Sequence, residues 1–239
     1  MNSTMRIYSL FYEIIQLVFL PILRWQGNRL RKEALKLPEA MGPRSGNIGS
    51  GEKLSILIIG DSSACGVGVK LINQSLAGYL VQTLSKNYQC NWKIIAKSGL
   101  NTSDLTRLIE KEHASLFDTV VISIGMNDIT SGISRERWLK QLRTLQSSLQ
   151  EKFKITRFIF CGMPPVGKLK IIPNPLRRLL ALKASLFDKS LSVFCGDDPK
   201  KTYLSINIPF GKEMIADDGF HPSSEFYKLW ARMIINIIV

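Results

Sequence analysis

A three-layer α/β domain with a mostly parallel sheet is the fold class this 239-residue sequence predicts, and two observations predict it. From Leu54 onward, short apolar runs rich in β-branched residues alternate with longer segments of helical period. That is the pattern of strands buried on both faces by crossover helices. The composition, 45% apolar and 21% charged, is that of an ordinary globular chain. It excludes disorder, a collagen-like repeat and a heptad-based coiled coil as whole-chain descriptions.

Residues 7–23 form a stretch rich in Ile, Leu, Phe and Val, broken by Glu13 and Gln16 and with Pro21 near its end. This is marginal for a membrane span. Ser9, Glu13 and Gln16 fall at i, i+4, i+7, a narrow polar stripe on an otherwise apolar helix. Such a helix lies in a membrane interface or packs on the body of the protein. Only Arg6 precedes the run, whereas Arg24, Arg29, Arg31 and Lys32 follow it, which disfavours export. The expectation is a cytoplasmic protein whose residues 1–40 make peripheral contact with an anionic membrane, the cytoplasmic face of the inner membrane, through side chains such as Phe11, Ile14, Leu17 and Val18. Residues 41–53 read as a linker, since the stretch from Met41 to Glu52 holds four Gly, one Pro and three Ser or Asn.

Residues 54–239 make the folded domain. Residues 54–59, 92–96, 119–124 and 158–161 read as buried parallel strands. Trp138, Leu142, Leu145 and Leu149 mark one helix, and Phe226, Trp230, Ile234 and Ile238 the last. Right-handed crossovers then gather ligand chemistry in the loops at the carboxyl ends of the strands.

The formal charge of +13 is unevenly spread. Residues 1–53 hold eight Lys or Arg against four Glu, and residues 152–201 hold eleven against three Asp. These two segments suit phospholipid head groups, anionic substrates or nucleic acid, or simply form a solvated surface. Cys65, Cys90, Cys161 and Cys195 show no C-x-x-C spacing, which reads as reduced thiols. With His113 and His221 the only histidines, a zinc site built on several imidazoles is disfavoured.

The strand-end loops carry the chemistry. The first strand runs into Gly60-Asp61-Ser62-Ser63, the second into Ser98-Gly99-Leu100-Asn101 and the third into Gly125-Met126-Asn127-Asp128. Asp217-Asp218-Gly219-Phe220-His221-Pro222 precedes the last helix. Acyl transfer needs a hydroxyl nucleophile, an imidazole, a carboxylate to orient it and donors for an oxyanion, and all are present. No G-x-S-x-G, H-E-x-x-H or P-loop signature occurs.

Across residues 54–239 these blocks resemble, in order, those of the SGNH (GDSL-type) hydrolases: Gly60-Asp61-Ser62, Gly99, Gly125-x-Asn127-Asp128 and Asp218-x-x-His221-Pro222. The resemblance implies a flavodoxin-like fold with a mostly parallel five-stranded sheet. It implies Ser62 as nucleophile, His221 as general base and acid, and Asp218 as its partner. It places the backbone N–H groups of Ser62 and Gly99 and the amide of Asn127 in the oxyanion hole, and needs neither cofactor nor metal. The chain departs from the family at Ser63, where leucine is common, and at Ser98, where asparagine often precedes the glycine. Gly99 therefore keeps a second reading as a plain turn glycine. Asp217 is the rival to Asp218, with the three-residue spacing favouring the latter. His113 reads as solvated, and Asp61 and Asp128 as braces of their own loops.

The substrate expected is a small-molecule or lipid ester. Residues 163–175 hold four prolines and alternate cations with aliphatics, and Arg177, Arg178 and Lys183 continue the charge. That composition fits a lipidic acyl group with an anionic head group, as in a lysophospholipase-like esterase. A short-chain esterase or thioesterase and a carbohydrate O-deacetylase are the alternatives. A non-enzymatic module binding anionic lipid or nucleic acid on the same scaffold is the reading from another class, but the basic segment has few aromatics for stacking, so no nucleic acid is expected. No oligomeric state follows from the sequence.

Overall fold

The computed structural model describes residues 20–208 and 211–239. Six strands form one sheet: β1 (Ser45–Ile48), β2 (Glu52–Gly60), β3 (Tyr88–Ala96), β4 (Thr119–Ser123), β5 (Arg157–Cys161) and β6 (Lys201–Leu204). Their spatial order is β1-β3-β2-β4-β5-β6, with β1 antiparallel to β3 and every other pairing parallel. The mostly parallel sheet is as expected, but it has six strands and not five, the antiparallel β1 being added at the edge beside β3. Order reverses around β2, so its carboxyl end faces the crevice where a doubly wound sheet binds its ligand.

Among the described residues, seven α-helices accompany the strands. These are α1 (residues 20–33), α2 (Leu76–Leu84), α3 (Thr102–Lys111), α4 (Met126–Thr130), α5 (Arg135–Phe153), α6 (Leu176–Gly196) and α7 (Ser224–Ile238). Alternate residues of β2 face opposite layers: Ile56 and Ile58 pack with α2 and α7, while Leu57 and Ile59 pack with α3, α5 and α6. A strand buried on both faces has no polar side to show, which is why its sequence is a continuous apolar run. Trp138, Leu142, Leu145 and Leu149 of α5 are fully buried, as their spacing predicts. In α7, Phe226, Trp230 and Ile234 are buried and Ile238 packs at the edge of the same cluster.

Two expectations about organisation are corrected. Residues 41–53 are not a free linker, because β1 lies among them and pairs Ser45 with Lys93 through to Ile48 with Cys90. Arg44 donates to the carbonyl of Ala96 at 2.9 Å and to Glu39 Oε2 at 2.5 Å, and Glu39 Oε1 accepts from the Ser98 N–H at 2.8 Å. Burial alone would raise the Glu39 carboxyl, but these donors outweigh it and hold it at about 2. The segment thus braces the loop that follows β3.

Nor do all of residues 1–40 stand apart from the domain. In α1, Gln26 is buried; its amide donates to the carbonyl of Asn174 at 2.7 Å and accepts from the Leu176 N–H at 3.2 Å. The Leu176 N–H belongs to the first turn of α6, where helical donors lack intrahelical partners. Gln26 therefore clips α1 onto the start of α6. The expected interfacial residues Phe11, Ile14, Leu17 and Val18 lie outside the described residues. Among the described residues no helix is long and apolar enough to cross a membrane.

Candidate active site

The β2 strand ends at Gly60, whose φ of 155° and close approach to β4 both demand glycine: a Cβ there would lie 2.0 Å from the Ser123 carbonyl oxygen. The chain then turns tightly. The Cys65 N–H donates to the Asp61 carbonyl at 3.1 Å and the Val67 N–H to the Ser62 carbonyl at 3.0 Å. Ser62 is left at the crevice with its hydroxyl free to meet the loop before α7.

That loop is built around Asp218. Its Oδ1 accepts from the backbone N–H groups of Phe220 and His221, each at 2.9 Å, and its Oδ2 lies 2.5 Å from His221 Nδ1. The other imidazole nitrogen, Nε2, is 2.9 Å from Ser62 Oγ. Burial raises the Asp218 carboxyl, but the ring and backbone donors prevail and leave it below the ordinary carboxylate range. It stays ionised beside the imidazole. Asp217 is exposed and takes no part, and His113 is exposed beyond the end of α3. Ser223 then caps α7 by accepting from the Phe226 N–H, so the last helix fixes where His221 stands.

On the other side of Ser62, Gly125 opens α4 at a φ of 130°, and a Cβ there would meet the Met163 methyl at 2.4 Å. Asn127 follows. Its amide nitrogen donates to the Leu100 carbonyl at 2.9 Å and to Asp61 Oδ2 at 3.3 Å. The loops after β2, β3 and β4 are thereby joined at one side chain. Gly99 adopts a φ of 82° with open space around its Cβ position, the geometry of a turn glycine; it does not line the cavity described below.

Asp128 reaches beyond its own loop, which it was expected to brace, to a neighbouring one. It accepts from the Thr102 N–H at 3.0 Å and from the Thr102 hydroxyl at 2.9 Å, and the Trp138 indole N–H donates to that hydroxyl at 3.1 Å. All three side chains are buried. This network locks α4 to the start of α3, and neither Thr102 nor Trp138 stood out in the sequence except as a helix residue.

Burial is the main influence on two of these carboxyls. Despite the Ser63 N–H on its Oδ1, Asp61 is pushed up to about 7, and despite Thr102, Asp128 is pushed up to about 6. An unfolded chain ionises both near 4. Between those values the folded state holds more protons, so this contribution to stability is complete below about pH 4 and is lost as pH rises through 6 to 7. Asp61→Asn is expected to melt with a flatter dependence on pH between 5 and 8 than the wild type. Parallel profiles for the two proteins would show that Asp61 ionises normally.

Ser62, His221 and Asn127 open onto a cavity of about 630 Å³. Its walls are chiefly aliphatic, including Ile124, Ile129, Met163, Leu169, Ile172 and Leu179. Of the cations expected beside it, Lys168, Lys170, Arg177 and Arg178 do not line it. Lys183 does, but it is buried and donates to the Ile129 carbonyl at 2.7 Å. Among the described residues, the other Lys or Arg side chains lining the cavity are Arg24 and Arg31 of α1. In the sequence they appeared only as charges following an apolar run, with nothing to say which face of a helix met the domain.

A serine hydroxyl on an imidazole, itself on a buried carboxylate, at the carboxyl end of a parallel sheet defines the class of the serine hydrolases. Residues 58–229 match the GDSL-like lipase/acylhydrolase family, and the chain belongs to that family. It is a carboxylic ester hydrolase of the GDSL/SGNH type. No curated protein matches the chain in sequence. Among solved structures, it is similar to a lipolytic protein of the G-D-S-L family from Veillonella parvula, with 15% identity, TM-score 0.62, and 77% of this chain and 97% of that one covered. It is also similar to an acetylxylan esterase from Geobacillus stearothermophilus (16% identity, TM-score 0.58, 79% and 95% covered) and a phospholipase A1 from Streptomyces albidoflavus (16%, 0.54, 77% and 99%). At these identities the likeness is one of fold.

Proposed function

We propose that the protein is a lysophospholipase-like esterase that cleaves lipidic acyl esters through an acyl-enzyme on Ser62. The supporting observation is the aliphatic cavity of about 630 Å³ into which Ser62 faces. Its size falls within the roughly 300–1,000 Å³ of small-molecule sites, and an acetyl group would leave most of its apolar wall in contact with water.

In this mechanism Ser62 Oγ attacks the ester carbonyl as His221 Nε2 takes its proton, and Asp218 stabilises the imidazolium. The negative charge on the former carbonyl oxygen is met by the Ser62 N–H, the Asn127 amide and, by family resemblance, the Gly99 N–H. For Asn127 this means exchanging its longer bond, the one to Asp61, for the oxyanion. Collapse expels the alcohol, which His221 protonates. Water, deprotonated by the same imidazole, then attacks the acyl-enzyme and frees the carboxylic acid and Ser62.

Gly27 offers a test of the acyl reading. It lies in the middle of α1, where glycine costs roughly 1 kcal/mol relative to alanine, yet among the described residues nothing apart from its chain neighbours and the helix's own backbone lies within 4 Å of where its Cβ would be, and it lines the cavity. Gly27→Phe is expected to lower kcat/KM for palmitoyl esters at least tenfold while sparing butyryl esters, and Gly27→Ala to spare both. An ester panel in which the wild type prefers acetyl or butyryl groups, or thioesters or acetylated sugars, would replace the lipidic reading with that of the preferred class.

A further inference from the structure

The part of α1 that meets the cavity is two-sided. Leu20, Leu23, Gly27 and Leu30 recur at helical spacing and face it with an apolar stripe, and Arg24, Asn28 and Arg31 form a polar stripe beside it. Arg31 donates to Asn28 Oδ1 at 3.3 Å, and neither Arg24 nor Arg31 has an acidic partner among the described residues. Arg29, on the outer side of the helix, is by contrast paired with Glu33 at 2.9 Å. Among the described residues lining the cavity the one acid is Asp61, which is buried against Ser63 and Asn127. The cavity therefore carries an excess of positive charge, supplied at α1 by Arg24 and Arg31, exposed residues that i, i+7 spacing places on one side of the helix two turns apart. The clip made by Gln26 fixes the rotation of α1, so that the apolar stripe meets the cavity and the arginines stand at its solvent-exposed rim. α1 lies outside residues 58–229, the segment that matches the family.

We infer that α1 forms a phosphate subsite of the active-site cavity, Arg24 and Arg31 binding the phosphate of an amphiphilic substrate whose chain lies against Leu23, Gly27 and Leu30. Guanidinium forks match phosphate oxygens in pairs, and they do so best beside a low-dielectric wall such as this one. The inference deepens the lipidic-ester reading and rests on it for its biological purpose: the substrate becomes an acyl ester bearing a phosphate.

Binding of decyl phosphate, a compound with no carboxylic ester to cleave, tests the subsite by titration below its micellar concentration. The expected result is that Arg24→Gln/Arg31→Gln binds decyl phosphate at least tenfold more weakly than the wild type, that Arg24→Lys/Arg31→Lys recovers part of the loss, and that the uncharged decyl glycerol ether binds all three proteins alike. Equal affinity of wild type and glutamine variant for decyl phosphate would overturn the subsite. So would a glutamine variant that loses the uncharged ligand equally, which makes the arginines structural. Inorganic phosphate binding as tightly as decyl phosphate would make the ligand the free ion and overturn the amphiphile. Since hydrolysis plays no part in the titration, a protein that cleaves no lipid ester refutes the lipidic reading separately, whatever the binding shows.

Discussion

Ser62→Ala and His221→Ala are each expected to lower ester hydrolysis by roughly 10⁴- to 10⁶-fold, because the members of a catalytic triad act as a unit and removal of the nucleophile or the imidazole alone costs nearly what removal of all three costs. The geometry sets the reason. With Ser62 Oγ 2.9 Å from His221 Nε2, the imidazole takes the proton as the bond to the acyl carbon forms, and alanine at either position ends that transfer. Asp218→Ala is expected to cost less, since the imidazole remains but loses its orienting carboxylate. The comparison is made with one activated ester at saturating concentration, on variants whose thermal melts match the wild type. More than a tenth of wild-type turnover in Ser62→Ala would refute the nucleophile assignment.

Asn127→Ala is expected to lower kcat by roughly 10²- to 10³-fold with little change in KM, the signature of a donor that acts on charge developing in the transition state. The side chain already stands in the crevice, oriented by the Leu100 carbonyl at 2.9 Å. Its removal also leaves the Leu100 carbonyl without that donor, so a melting curve must accompany the kinetics. A loss confined to KM, or one explained by unfolding, would remove Asn127 from the oxyanion hole.

Much of this site was legible because its residues are punctuation as well as chemistry. Gly60 and Gly125 mark strand ends where a side chain cannot fit, and Ser62 and Asn127 follow each of them by two residues. The three-residue spacing from Asp218 to His221 suits a turn in which one carboxylate caps the backbone and orients the ring, as its bonds to Phe220 and His221 do. The central strands were legible for a different reason: where they are buried on both faces, as at Ile56, Leu57, Ile58 and Ile59 of β2 and Val120, Val121 and Ile122 of β4, they are apolar without a break. The edge strands were not. β1, with Gly46 in its middle, and β6, with Leu204 its single buried residue, are short and half-solvated, and they exist because neighbouring strands offer them hydrogen bonds. The cavity wall was hidden for the same kind of reason. Arg24 and Arg31 belong to a helix whose inward face is decided by Gln26 reaching residues 174 and 176, a contact that no local pattern encodes. Asp128 likewise looked local, because nothing in its own loop announces Thr102.

The central claim is that Ser62 is the nucleophile activated by His221, and the most direct measurement is covalent labelling with a fluorophosphonate, read by intact mass and located by peptide mapping. A single adduct on Ser62, forming in step with loss of esterase activity and failing to form in His221→Ala, is the predicted result. An adduct on any other residue, or full esterase inhibition with Ser62 unlabelled, would contradict it.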